Sequence, residues 1–148
     1  MARLGDSLDD NINIGNSANT IDEFEKVRFQ IISDVLSASS VDHYIYIAPQ
    51  ACVITGVSEI HITAGSSGTL MLEKCGSTGA IGSTGNTDLL TSALDLAAAA
   101  ETVQAATLST ASGALTLAAD DRIAIDFVST GYASLVGSIV TINLYQNA

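Results

Sequence analysis

The sequence predicts an all-β protein, an antiparallel β-sandwich preceded by an extended N-terminal arm. Short runs in which apolar and polar residues alternate have the period of half-buried strands. Glycine- and aspartate-containing turns separate these runs at the spacing expected of a sandwich. The first 20 residues instead mix Asp, Asn, Ser and Gly with isolated aliphatic residues and show no sustained period. With 148 residues, the chain is long enough for one domain with a substantial core.

The strand pattern begins after the arm. Val27, Phe29 and Ile31 alternate with polar residues, and residues 43–47 are predicted to form a strand that Pro49 ends. In that strand Ile45 and Ile47 are expected on one face and the two tyrosines on the other.

Residues 51–63 form a long strand candidate in which the alternation changes phase. Val53 and Val57 belong to one phase, whereas Ile60 and Ile62 belong to the other. Gly56 lies near the change, so a bulge or bend is expected there.

The middle of the chain contains turns and an ambiguous stretch. Residues 65–68 look like a hairpin turn into a strand at 69–74, and 76–85 read as a flexible loop with Gly-Ser-Thr-Gly written twice. Residues 89–108 combine helical spacing and an alanine run with strand-forming Thr and Val. A short helical turn between strands is expected.

The last third alternates most regularly. Leu115 and Leu117 precede an Asp120-Asp121 turn, and strands are predicted at 123–127 and 140–144. Seven or eight strands with short turns indicate a sandwich, and the predicted topology is a jelly roll. An immunoglobulin-like sandwich is the alternative, because composition does not distinguish the two. The predicted organisation is an arm with a short helix at 1–26 and a sandwich domain at 27–148.

Charge and composition exclude several partners. The net charge of −11 argues against nucleic acid, which needs clustered Lys and Arg, and against an anionic membrane surface. No signal peptide and no membrane span are recognised, so synthesis and function without export are expected. Charged residues make up 14% of the chain, well below the usual quarter. Subunit contacts that cover the surface would explain this, and a homo-oligomer is predicted, a trimer or alternatively a dimer.

Catalytic and metal-binding patterns are missing from the sequence. The glycine-rich run at 76–85 does not end in the Gly-Lys-Ser/Thr of a phosphate-binding Walker A loop. The Gly-x-Ser-x-Gly motif that presents a nucleophilic serine is also absent from the sequence. His43, Cys52, His61 and Cys75 lack the short paired spacings of a zinc site, and both histidines are interpreted as core or interface residues. The expectation is a protein that is not an enzyme and has no catalytic residues, metal or cofactor.

Two segments carry a family resemblance. The Leu115–Phe127 stretch, LTLAADDRIAIDF, resembles the penultimate hairpin of jelly-roll decoration (cement) proteins of tailed-phage capsids, although Asp120 stands where glycine is usual. Residues 46–57, from Tyr-Ile-Ala-Pro onward, are similar to the opening strands of that group. The resemblance covers roughly residues 40–146 as a pattern of strands and turns.

The resemblance implies a structural role in the virion. Such proteins bind the outside of the shell, clamp adjacent major capsid subunits, and commonly form trimers, so the major capsid protein and other copies of the chain are the expected partners. The expected location is the outer capsid surface, after synthesis in the host cytoplasm. Within the arm, four aliphatic residues are the expected capsid or subunit contacts: Leu4, Leu8, Ile12 and Ile14.

Two other classes of protein remain open. One is a receptor-binding module of a phage tail or baseplate, and the other is a cellular carbohydrate-binding or TNF-like sandwich. Sugar-binding modules usually present aromatic side chains, whereas this chain has no Trp and 5% aromatic residues. Glycan binding would distinguish either class from a capsid protein.

Overall fold

The computed structural model describes residues 26–128 and 131–147, and within them the chain is all β, with no helix that could span a membrane. The predicted arm and its short helix lie outside the described residues, apart from Lys26, where the first strand begins. The strands are β1 Lys26–Ile32, β2 Leu36–Ser37, β3 His43–Ile47, β4 Cys52–Ile60, β5 Thr69–Cys75, β6 Thr87–Asp88, β7 Leu94–Asp95, β8 Gln104–Ala105, β9 Thr116–Leu117, β10 Arg122–Phe127 and β11 Val136–Asn147.

The strands form two antiparallel sheets. One sheet has the order β1-β11-β4-β8, with β2 also paired to β11 and β9 also paired to β4. The other has the order β3-β10-β5-β6, with β7 also paired to β5. The short strands that share a neighbour can be taken as one position, and each sheet then has four strand positions. The chain changes sheet at every step between positions except from β5 to β6 and β7, which stay in one sheet. This alternation is jelly-roll topology, as predicted.

The crossing pattern corrects one turn assignment. Residues 65–68, predicted as a hairpin turn, connect β4 in one sheet to β5 in the other. The backbone N–H of Gly65 donates to the Leu96 carbonyl (2.8 Å) and that of Leu96 donates to the Gly68 carbonyl (3.0 Å). The segment is therefore a crossover between the two sheets, and the loop that follows β7 holds it in place.

The core lies between the sheets and is built of aliphatic side chains. Leucine and isoleucine dominate it, and each fully buried side chain contributes roughly 1.5–3 kcal/mol. The innermost positions of the predicted β10 and β11 alternations are all buried. They are Ile123 and Ile125 in β10, and Val140, Ile142 and Leu144 in β11.

Strand β4 contains the predicted bulge. Its pairing with β11 shifts register between Ile54 and Gly56, so Thr55 is the extra residue. Cys52 and Ile54 point inward before the bulge, and Val57 and Glu59 point inward after it. Val53 and Val57, which share a phase in the sequence, therefore lie on opposite faces of the strand.

Strand β3 also departs from the predicted alternation. Its register with β10 shifts between Tyr44 and Tyr46, so Ile45 is an additional residue on the β3 side. As a result Ile45 and Tyr46 both pack against the core, whereas Ile47 is exposed. A bulge lets two consecutive side chains share one face, which a period of two does not allow.

The helical turn predicted within 89–108 is wrong. The described backbone forms β7 and β8, which pair with the edges of β5 and β4, and the alanine run between them lies in turns. Leu89, Leu94 and Leu96 are buried against the core. Pairing with two open sheet edges outweighs the helix propensity of alanine, which is only a weak preference.

Candidate interaction surface

The predicted contact residues of the arm cannot be placed. Leu4, Leu8, Ile12 and Ile14 lie outside the described residues. Their role in capsid or subunit contact stays a prediction.

Four loops meet at one end of the sandwich, which we name the apolar end: 33–42, 61–68, 96–103 and 128–135, of which 129–130 are not described. Backbone hydrogen bonds tie the loops together. The N–H of Ala38 donates to the Leu135 carbonyl (3.0 Å), and the N–H of Ser67 donates to the Gly131 carbonyl (2.8 Å). The end is therefore one connected surface.

Exposed hydrophobic side chains concentrate at this end. Ten large hydrophobic residues are exposed in the described part of the chain, and seven of them lie in these loops or at the strand ends that enter them: Ile32, Val35, Val41, Ile62, Val103, Val128 and Val136. Single exposed aliphatic residues are common on protein surfaces, but a concentration on one end marks an interaction site.

The apolar end has acidic groups and lacks basic ones. Asp34, Asp42 and Glu101 lie in its loops, and none of the loop residues is Lys or Arg. Among the described residues, Lys and Arg occur only in β1, β5 and β10, towards the opposite end. A partner of this surface would need apolar groups accompanied by positive charge.

A groove of about 480 Å³ opens between β2 and β3 at the apolar end, and we name it the β2–β3 groove. Val35 and Val41 line it, together with Asp34 and Tyr44. His43 also contributes, and its Nδ1 lies 2.6 Å from the Val41 carbonyl oxygen, to which it donates. Its Nε2 is buried without a hydrogen-bond partner among the described residues.

A buried polar cluster supports the apolar end from below. Glu59 and His61 are each 1% exposed, and the His61 Nδ1 lies 3.0 Å from Glu59 Oε1. The other ring nitrogen of His61 donates to the Ala98 carbonyl (3.0 Å), while Ser138 Oγ and Gln104 Nε2 donate to the Glu59 carboxylate at 2.7 and 2.6 Å. One proton shared between Glu59 and Nδ1 satisfies every one of these atoms.

The hydrogen bonds of this cluster link β4, β8 and β11 to the 96–103 loop, so its role is to stabilise the fold. Sequence reasoning placed His61 correctly in the core or an interface but missed Glu59. The only available signal was that Glu59 and His61 are two residues apart in a strand and therefore share a face.

The opposite end of the sandwich differs from the apolar end in having basic side chains, and these donate hydrogen bonds to backbone carbonyls of its loops. Arg122 Nη2 donates to the carbonyls of Gly76 and Gly79, both at 2.6 Å, and its guanidinium lies 4.4 Å from the centre of the Tyr44 ring. Lys74 Nζ donates to the Gly113 carbonyl (2.6 Å). The glycine-rich loop, expected to be flexible, is thus anchored at its start.

The two cysteines do not form a disulfide. Cys52 and Cys75 are both buried and free, and burial raises the pKa of each thiol above its ordinary value. Burial, with a further contribution from Cys52, raises the pKa of Tyr46 to about 12. The described residues contain no group of three His, Cys, Asp or Glu side chains that could hold a metal ion.

Comparison with known proteins gives a likeness of fold. No protein-family model and no curated protein sequence matches the chain. Among solved structures, it is similar to a chain of the capsid asymmetric unit of cyanophage Pam1, with a TM-score of 0.53 and 15% sequence identity. The similarity covers 93% of this chain and all of that chain, so the two are of comparable length. At this identity, the likeness shows a shared fold.

Proposed function

We propose that this protein is a structural component of a phage virion that binds the outer capsid surface and stabilises contacts between major capsid subunits. The observation that carries the proposal is the apolar end, a connected surface with most of the exposed large hydrophobic residues of the described chain. The likeness of the whole chain, in fold and length, to a chain of a phage capsid supports the same role.

The arrangement of polar groups favours binding over catalysis. Glu59 and His61 are the one described acid–histidine ion pair, and neither is accessible to a substrate. Their hydrogen-bonding atoms are also committed to Ser138, Gln104 and a backbone carbonyl. A general base must reach the proton that it removes, which this pair does not.

The aromatic residues do not favour a glycan-binding module. Tyr44 is the exposed aromatic side chain of the described residues, and the others are at least partly buried. The Tyr44 hydroxyl donates to the Gly79 carbonyl (2.8 Å), and one face of its ring contacts Arg122. Sugar-binding modules usually present exposed aromatic side chains, and the described residues offer this single ring, with its hydroxyl and one face already engaged. The receptor-binding alternative therefore receives less support.

The proposed attachment relies on many copies. Burial of an exposed valine contributes at most about 1.5–3 kcal/mol, and association costs about 4–15 kcal/mol, so a contact that covers only a few of these side chains binds weakly. A symmetric oligomer that contacts several capsid subunits multiplies the affinity. We infer a homotrimer on this ground, with Leu4, Leu8, Ile12 and Ile14 of the arm as additional anchors.

Add-back to capsids that lack this protein tests the proposal. Purified protein should co-sediment with the shells and raise the temperature at which packaged DNA is released. Deletion of residues 2–19 should leave the sandwich folded, because its strands begin at Lys26, but should weaken binding. Failure of the full chain to bind shells, or an unchanged release temperature, would refute the decoration role. Equal binding by the truncated chain would refute only the role of the arm.

A further inference from the structure

We propose that the β2–β3 groove is a docking site for a segment of another protein that presents an aliphatic side chain beside Lys or Arg. This rests on the proposed function and specifies the chemistry of the contact on the capsid side. The argument depends on the exposure, preorganisation and charge of the groove.

The groove brings together the two most exposed large hydrophobic side chains of the described residues. Val41 is 70% exposed and Val35 is 69% exposed, and both line the same depression. Leu36, which lies between them in the lining, is buried at 1% exposure and connects the groove to the core. An aliphatic side chain placed here would cover both valines at once and rest on a fixed base.

The groove is already formed in the free chain. The N–H of Ser40 donates to the Ser37 carbonyl (3.0 Å), and the N–H of Ser37 donates to Ser40 Oγ (2.8 Å), so the turn after β2 is closed by two hydrogen bonds. On the other wall, Tyr44 is held by Arg122 and by the Gly79 carbonyl. A preformed site binds its ligand without a large ordering cost.

Negative charge flanks the valines. Asp34 directly precedes Val35, and Asp42 directly follows Val41. Asp42 Oδ1 accepts a hydrogen bond from the Phe127 N–H (2.9 Å), which fixes the position of that carboxylate, whereas Asp34 lines the groove itself. With no Lys or Arg in the surrounding loops, the complementary partner is basic, and charge complementarity sets both specificity and association rate.

A second copy of this chain fits the groove poorly. Contact between two apolar ends would bring Asp34 and Asp42 against their own equivalents. In a head-to-tail contact Lys74 and Arg122 are not available, because both already donate to loop carbonyls within the chain. Among the side chains that the structure describes, this leaves one cation, Arg28 of β1, for the two carboxylates beside the groove. The proposal therefore commits to a different protein.

The test uses add-back of full-length variants to capsids that lack the protein. Val35→Ser/Val41→Ser should lower capsid affinity at least about tenfold, because two valines lose apolar burial. The matched control is Val27→Ser/Ile47→Ser, which alters two exposed aliphatic residues outside the apolar end and should stay within about twofold of the unmodified chain. Thermal melting of both variants checks that the sandwich is folded.

The charge requirement has its own pair of variants. Asp34→Lys should lower affinity about fivefold and reduce the loss of binding that added NaCl causes, since attraction to a basic partner is removed. Asp88→Lys makes the same charge change in exposed β6 and should have no such effect.

The outcomes separate this proposal from the broader one. If the unmodified chain does not bind capsids, the decoration role is refuted and the groove falls with it. If it binds and the groove variant binds equally well, the groove alone is refuted. If the groove variant instead dissociates the homo-oligomer in sedimentation velocity, the occupant is a second copy and the proposal is overturned.

Discussion

Replacement of His61 by leucine tests whether the buried polar cluster holds the apolar end together. The change removes the contact to Glu59, a hydrogen bond to a charged group worth about 1.5–3 kcal/mol, and the bond to the Ala98 carbonyl, worth about 0.5–1.5 kcal/mol. It also leaves the Glu59 carboxyl buried with only Ser138 and Gln104 as partners. We expect a loss of about 3 kcal/mol in the free energy of unfolding.

Urea unfolding of matched variants provides the assay. Glu101→Gln, an exposed change in the same loop region, is the control and should stay within about 0.5 kcal/mol. The double variant Glu59→Met/His61→Leu should be more stable than His61→Leu alone, because an apolar pair leaves no buried carboxyl. The reasoning is refuted by a cost below about 1 kcal/mol for His61→Leu, or by a double variant less stable than the single one.

Three further predictions concern ionisation and backbone strain. Burial raises the pKa of Asp126 above its ordinary value, and neighbouring carboxylates raise it further. Asp126 therefore favours the folded state in acid, and this contribution is lost as the pH rises through the pKa of the folded state. Asp126→Asn should therefore raise stability at pH 7 by less than about 1 kcal/mol and lose that advantage near pH 3, as measured by thermal melting. Cys52 and Cys75 should react with a thiol reagent at pH 8 only after denaturant is added, because burial raises both thiol pKa values; rapid native reaction would contradict this. Gly137 has φ of +68°, and a Cβ there would lie 2.7 Å from Ile62 Cδ1, so Gly137→Ala should lower the free energy of unfolding by about 1–2 kcal/mol. Adding Ile62→Ala to that variant should relieve only the side-chain contact, and full recovery of stability would show that backbone strain is not involved.

The alternation of side chains made most of the strands predictable. Residues 27–31, 43–47, 69–74 and 123–127 were all expected as strands and are strands, because a sheet with one buried face selects apolar residues at every second position. Gly56 was correctly associated with a bulge, since a change of phase needs an extra residue.

The faces of the bulged strands and the short edge strands were not predictable in the same way. Ile45 and Tyr46 share the inner face because β10 shifts register opposite them, and this register depends on a strand about 80 residues later in the chain. Leu94–Asp95 and Gln104–Ala105 become short strands because the edges of β5 and β4 are available for pairing, which local propensity does not report.

The candidate interaction surface shows the same division. An all-β sandwich, an acidic chain and a low charged fraction can be predicted from the sequence alone, since they follow from composition and from periods of a few residues. The lining of one groove by Val35, Val41 and Asp34, and the hydrogen bond between Glu59 and His61 beneath the apolar end, depend on the tertiary structure. The loops of that end come from four distant parts of the chain, and their meeting depends on jelly-roll crossovers, which no local pattern encodes.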